Sequence, residues 1–288
     1  MAVIGTGRMG AAMARRLAQA GFELVVWNRH PGKARLVADG IGATVAASAA
    51  DAASSADVVI TSLADDTAVR QVYLESEGVC AGIRPGSVAL DTSTIDPDTS
   101  REIGAVVDRT GAGFLDSPVS GSVTTVEAGT LTVMVGGDPG LLETVGPVLE
   151  SIAARVVHVG ERGAGSAAKL AVNALVHGLN VALSEALVLA EKAGIDRRTA
   201  YEIFASGAGG APFVHYKREA YERPEEAAVA FSLNLVAKDL ELITALARRV
   251  GAPMSQAETG LGIVSRAIDA GLGDADLSAV AVHLRGGV

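Results

Sequence analysis

Lys169 stands where an ammonium group is poorly accommodated. It opens a run of Ala, Leu and Val that carries no full charge again until Glu185. The positive end of a helix dipole also disfavours a cation near a helix start. Asn173, His177 and Asn180 follow at helical spacing and continue a polar stripe on the same face. Apolar surroundings and a helix N-terminus both push a lysine pKa down toward the working range, so a position poor for stability suits proton transfer. A lysine snorkelling to solvent is the competing reading. No catalytic role suggests itself for His177 and Asn180, for which buried hydrogen bonds or contacts with a partner subunit are the better reading.

A second cluster lies at the start of the chain. "VIGTGRMG" (3–10) spaces Gly5, Gly7 and Gly10 as G-x-G-x-x-G between a strand and a helix. Glycines permit the tight turn and the approach of backbone to a pyrophosphate, and the helix start offers free N–H groups. Thr6, Arg8 and Met9 complete the loop, and Leu63, closing a later strand, is expected beside it. An ordinary strand–helix turn is the alternative, which the flanking elements disfavour. At the end of the next strand, an NAD site usually carries an acid for the ribose 2′-OH. Here stand Asn28 and Arg29, with Lys33 one turn on. A guanidinium can bind a 2′-phosphate bidentately, so NADP is preferred over NAD; a solvated surface arginine is the other reading.

These groups must be held by two kinds of architecture. Strand candidates at 2–4, 23–27, 57–63, 87–93, 113–119, 131–137 and 155–160 alternate with helical patterns, which predicts a mainly parallel sheet covered on both faces. After about 162 the strands stop and four or five helices follow, two of them closed by Gly251 and Gly271. The expected division is 1–160, an α/β Rossmann domain, and 161–288, an all-α substrate and dimerisation domain, with the lysine helix starting at the seam, a favoured place for ligand sites. In 288 residues, 49% are hydrophobic and 20% charged, which supplies a large core. A net charge of −9 without a basic run excludes nucleic acid as a natural partner. The single Cys80 and the absence of a signal-like start favour a reducing, cytoplasmic compartment. The interrupted run 170–184 is too short to cross a bilayer, so no membrane is expected. No Cys/His/Asp group has metal-ligand spacing. A helix apolar over more than four turns needs covering protein, which predicts a homodimer or homotetramer.

"GTGRMG", "DTSTIDP" (91–97), "DSPVSGSVTTVEAGTLTVMVGG" (116–137), "GERGAGSAAKLAVN" (160–173) and "FSLNLVAKDL" (231–240) occur in that order. Together they resemble the β-hydroxyacid dehydrogenase family, which includes 3-hydroxyisobutyrate dehydrogenases and glyoxylate/succinic semialdehyde reductases. The resemblance implies NAD(P)-dependent interconversion of a small hydroxy acid with its aldehyde or keto acid. It makes Lys169 the catalytic residue. Reduction of a carbonyl leaves an alkoxide that needs a proton, and an ammonium can deliver it; Asn173 orients the lysine or the substrate oxygen. Ser120, Gly121 and Ser122 offer N–H groups and hydroxyls suited to an anion, and the resemblance assigns them to the substrate carboxylate. Thr94 resembles the residue beside nicotinamide and substrate, although Ser93 and Thr94 could equally cap the helix near Pro97. Lys238 and Asp239 match a pair near cofactor and substrate, and Phe231 an aromatic of the substrate pocket; a solvated helix face and core packing are the respective alternatives.

Ser122, where many members have glycine, and Val172, where many have asparagine, are closer to the semialdehyde reductases. "EAGTLTVMVGG" is closer to the hydroxyisobutyrate group, so the substrate stays open. An imine reductase is the near alternative, but such relatives generally carry Asp or Tyr in place of the lysine. A non-catalytic NADP-binding protein is the distant one.

Overall fold

The computed structural model describes residues 1–286. Contacts divide the chain into two compact units, Met1–Lys169 and the residues from Leu170 onward.

The first unit is built on nine strands: β1 (Ala2–Ile4), β2 (Val25–Trp27), β3 (Thr44–Val45), β4 (Val58–Thr61), β5 (Val88–Asp91), β6 (Gly113–Asp116), β7 (Val119–Ser120), β8 (Leu131–Gly136) and β9 (Ala153–Gly160). The order β3-β2-β1-β4-β5-β6 is all parallel, and the order reverses between β1 and β4. That is the Rossmann arrangement, whose ligands bind beyond the carboxyl ends of the strands at the switch point. β8 then runs antiparallel to β6 and β7 and parallel to β9. The strands are apolar on both faces. Val3 packs into one core cluster, while Ala2 and Ile4 pack into another on the opposite face.

Two departures from the expected strands have local causes. The stretch read as one strand over 113–119 is two, because Pro118 has no N–H to donate to a ladder. Beyond it the chain re-pairs with β8, Val119 opposite Val133. β3 was not expected; its two residues are both exposed at the sheet edge and carry no alternating pattern. The helix at Pro97 is capped by neither Ser93 nor Thr94: Asp96 accepts the Asp98 N–H at 2.8 Å.

Beyond 160 the structure is helical. Ala164–Lys192 is one 29-residue helix. It is followed by Arg197–Ser206, Pro212–Tyr216, Arg218–Glu222, Leu233–Val250, Ser255–Ala267 and Ala279–Gly286. Gly251 (φ 71°) ends its helix in the left-handed region, as its position predicts, whereas Gly271 (φ 89°) is the kink inside the short helical stretch Ile268–Leu272 that continues from Ser255–Ala267. The lysine helix is longer than its uncharged run and long enough to reach across a bilayer. Half of its most apolar stretch is nevertheless buried within the protein. Leu170, Val181, Leu183 and Leu187 enter the core of the second unit, whereas Leu175 (68% exposed) and Leu189 (72%) do not.

Candidate active site

In the first unit, β1 delivers the chain into the glycine turn. Gly5 has φ 92°, and a Cβ there would lie 2.3 Å from the Ser62 carbonyl oxygen. At Gly10 a Cβ would lie 1.9 Å from the Gly5 carbonyl oxygen, so the helix Arg8–Gln19 can start only if both positions are glycine. Gly7, in contrast, faces open space within 4 Å. Its neighbours leave room for a phosphate against the helix start, where no side chain caps the N–H groups. Asn28 Oδ1 accepts the Thr6 N–H (3.1 Å), and Asn28 Nδ2 donates to the His30 carbonyl (3.2 Å), which ties the end of β2 to the turn.

A cleft of about 410 Å³ opens beside this turn. Of the expected residues, Gly5, Gly7, Asn28, Arg29, Lys33 and Leu63 line it; Thr6, Arg8, Met9 and Gly10 build the turn and the helix start. His30 joins Arg29 and Lys33 in the lining, a residue sequence reasoning passed over. Arg29 and Lys33 are exposed, and among the described residues neither is paired with a carboxylate. The residues fit a dinucleotide: an open glycine at a helix start, and cations at the end of the second strand.

Further along the sheet, β5 and β6 end in two buried carboxylates, Asp91 and Asp116, side by side in register and each 1% exposed. Neither was assigned a role from the sequence, although both stand at strand ends inside quoted motifs. Asp91 Oδ1 accepts from Thr61 Oγ1 (2.7 Å) and from Ser93 Oγ (2.7 Å), and Thr61 Oγ1 lies 3.0 Å from the Tyr73 hydroxyl. Ser93 Oγ in turn accepts the Leu63 N–H at 2.9 Å, so the network fixes a loop of the dinucleotide cleft. Burial pushes the Asp91 carboxyl up to about 6; hydrogen bonds from Ser93 and Thr61 oppose the rise, and the Asp116 charge adds to it. Thr94 follows this network and is half-buried.

The substrate-loop candidates sit past Pro118. Ser120 pairs with Thr132 at the end of β7, and Gly121 has φ 144°. The Ser122 N–H, expected to face an anion, donates instead to Thr125 Oγ1 (2.6 Å) within its own turn. The Ser122 hydroxyl is 2.7 Å from that of Thr124. The Ser122 N–H is therefore engaged within its own turn.

Lys169 is half-buried, in the second turn of its helix, and Asn173 follows on the same face four residues later. In the second unit, Asn173 Nδ2 donates to Asp239 Oδ2 at 2.6 Å, and His177 Nε2 lies 3.4 Å from the same oxygen. Lys238 forms an ion pair with Asp239 Oδ1 at 2.8 Å. Burial raises the Asp239 carboxyl, but His177 and Lys238 outweigh it and hold it below the usual carboxylate range. Asp239 has no exposed surface, so in this conformation it acts on Asn173 and not directly on a substrate. Phe231 packs its ring against His177, centroids 5.9 Å apart. The polar stripe is thus absorbed: His177 supports Asp239, and Asn180 Oδ1 accepts from the Tyr221 hydroxyl at 2.6 Å. Among the described residues no group of His, Cys, Asp and Glu could hold a metal ion.

This geometry defines a dinucleotide-binding Rossmann fold, and comparison narrows the class. Residues 1–160 match the NAD binding domain of 6-phosphogluconate dehydrogenase, and residues 163–284 match the NAD-binding domain of NADP-dependent 3-hydroxyisobutyrate dehydrogenase. The chain is 34% identical to the NAD-dependent L-serine dehydrogenase of Pseudomonas aeruginosa, over 97% of this chain and 96% of that protein. It is 33% identical to glyoxylate/succinic semialdehyde reductase 2 of Arabidopsis thaliana, over 98% and 78%. The solved Mycobacterium tuberculosis 3-hydroxyisobutyrate dehydrogenase with L-serine superposes with a TM-score of 0.85 at 34% identity, covering 99% of this chain and 98% of that one. The chain belongs to the β-hydroxyacid dehydrogenase family.

Proposed function

We propose that the protein is an NADP-linked dehydrogenase that interconverts a small hydroxy acid with its aldehyde or keto acid, of the 3-hydroxyisobutyrate or semialdehyde/glyoxylate type. The observation that carries this reading is that one unit holds both the dinucleotide cleft, with Arg29 and Lys33 unpaired, and the helix start that bears Lys169. The dinucleotide, when bound, supplies or accepts the hydride. Gly7 and the start of the helix Arg8–Gln19 receive the pyrophosphate, and Arg29 with Lys33 the 2′-phosphate. The hydroxyls of Ser120 and Ser122 bind the substrate carboxylate, and Thr94 stands beside the nicotinamide. Lys169 gives its proton to the carbonyl oxygen as the alkoxide forms, and takes it back in the other direction. Asn173 holds the same oxygen, with its amide fixed by Asp239. Phe231 shapes the pocket, and Lys238 contributes to cofactor binding through its place beside Asp239.

The exposed Leu175 and Leu189 on the lysine helix support a homo-oligomer in which that face is covered. Oxidation of NADPH and NADH is to be followed with succinic semialdehyde, methylmalonate semialdehyde, glyoxylate and a cyclic imine. Turnover of an acid-bearing aldehyde with NADPH is the expected result. Turnover of the imine alone would replace this reading with an imine reductase, and no turnover of any would favour a binding protein.

A further inference from the structure

We propose that Asp116 is the positioning residue for Lys169, its carboxylate latching the first turn of the lysine helix onto the end of β6. The inference rests on the reading of Lys169 as the proton-carrying residue. Asp116 Oδ1 accepts the Gly163 N–H and Asp116 Oδ2 the Ser166 N–H, both at 2.8 Å. These bonds bridge 47 and 50 residues of sequence, and both carboxylate oxygens are committed to one helix start. A carboxylate in this place satisfies N–H groups that a helix start leaves without partners, and it offsets the positive end of the dipole.

The glycines before Lys169 serve the same contact. Gly163 takes φ 90°, and a Cβ there would lie 3.0 Å from the Pro97 carbonyl oxygen. A Cβ on Gly165 would lie 2.5 Å from the Asp116 carbonyl oxygen and 2.6 Å from that of Met134. On the other side, a Cβ on Gly136 would lie 2.5 Å from Asp116 Oδ1 and 2.7 Å from the Gly165 nitrogen. The helix start is thus seated on the ends of β6 and β8 without room for one methyl group. Three and six residues before Lys169, the chain is fixed to a residue that itself precedes the Ser120–Ser122 loop by one proline turn. The latch therefore sets the relation between the proton carrier and the loop for the substrate carboxylate. It also resolves why an ammonium is tolerated near a helix start: the dipole that disfavours it is capped by a buried negative charge.

The other charged groups at this helix start are Asp91 beside Asp116 on β5, Glu161, Arg162 paired with Asp108, and Arg101 paired with Asp98. Of these, Glu161 bonds the first turn through its backbone, its carbonyl accepting the Ala164 N–H at 2.9 Å.

The test is a cycle of Asp116→Asn, Lys169→Ala and the double variant, each assayed for reductive kcat from pH 6 to 10, for the NADPH dissociation constant and for the melting temperature. Asparagine keeps the size and one acceptor but removes the charge. Asp116→Asn is expected to lower kcat by about tenfold to a hundredfold, the scale of a small misplacement of a reacting group, with NADPH affinity within about twofold. Loss of the negative charge disfavours the ammonium, so the alkaline fall in reductive kcat should begin about half a pH unit or more lower. In the Lys169→Ala background the same substitution should cost nothing further. An unchanged profile, or a loss that persists in full without Lys169, overturns the proposal. Asp116→Ser, a shorter neutral cap, carries the same expectations if the asparagine variant is not recovered folded. Turnover of Lys169→Ala alone reports separately on the reading of Lys169.

Discussion

Replacing Asp91 with asparagine should change the pH dependence of stability in a calculable way. The carboxyl is pushed up to about 6 in the folded chain, against about 3.9 in an unfolded one. Because the folded state holds its proton more tightly, stability is fully present below about pH 4 and is lost as pH rises through about 6. Roughly two pH units at about 1.4 kcal/mol each give on the order of 3 kcal/mol of destabilisation at pH 8 relative to pH 4. Asparagine retains an oxygen for Thr61 and Ser93 and never ionises. The difference in unfolding free energy between Asp91→Asn and wild type should therefore move in the variant's favour by about that amount between pH 4 and pH 8. Contributions from groups that do not interact with Asp91 cancel in this difference, and the neighbouring Asp116 adds only a lesser coupling to it. Trp27, the single tryptophan, lies on β2 of the same sheet and reports urea unfolding of this unit by fluorescence. A difference constant to within about 0.5 kcal/mol across this range would refute the reasoning, because the buried carboxyl would then pay no desolvation cost.

Arg29→Asp removes the proposed 2′-phosphate partner and adds a repulsive charge, and kcat/KM should swing toward NADH by at least about tenfold, measured with both cofactors. Lys217→Met leaves Asp276 in the second unit without the ammonium that bonds both its oxygens at 2.9 Å. The cost should be about 3–5 kcal/mol in chemical denaturation, the scale for breaking a buried pair. Burial raises the Asp276 carboxyl but Lys217 outweighs it, so this pair's contribution is present above about pH 4 and lost as pH falls below it. Light scattering at micromolar concentration should return twice the chain mass or more, and a monomer would remove the proposed role of the exposed helix face.

The parts legible in the sequence were those whose chemistry is local. The glycine spacing of 5, 7 and 10 announces its turn because the tight φ of Gly5 and the close approach of Gly10 to it occur within six residues. Gly251 marks a helix end for the same reason. Pro118 could have been read as a strand break, since the missing N–H is visible in the residue type alone. What could not be read depends on distant partners. Asp116 and Asp91 look like ordinary strand-end acids until the sheet register sets them side by side and folds a helix start onto one of them. Asp239, in a Lys-Asp pair that looks solvated on a helix, is buried because Asn173 and His177 reach it from 66 and 62 residues away. The short helices Pro212–Tyr216 and Arg218–Glu222 are too brief for a periodic pattern and are held by tertiary packing of Phe213 and Tyr221.

The central claim is that Lys169 moves the proton, and kcat of Lys169→Ala measured beside its NADPH dissociation constant tests it most directly. General acid–base catalysis accounts for about 10²–10⁴ in rate, so kcat should fall by that factor while NADPH binding stays within about twofold. Lys169→Arg should be nearly as slow, because a guanidinium does not release its proton near neutral pH. Turnover of Lys169→Ala within about threefold of wild type would contradict the account.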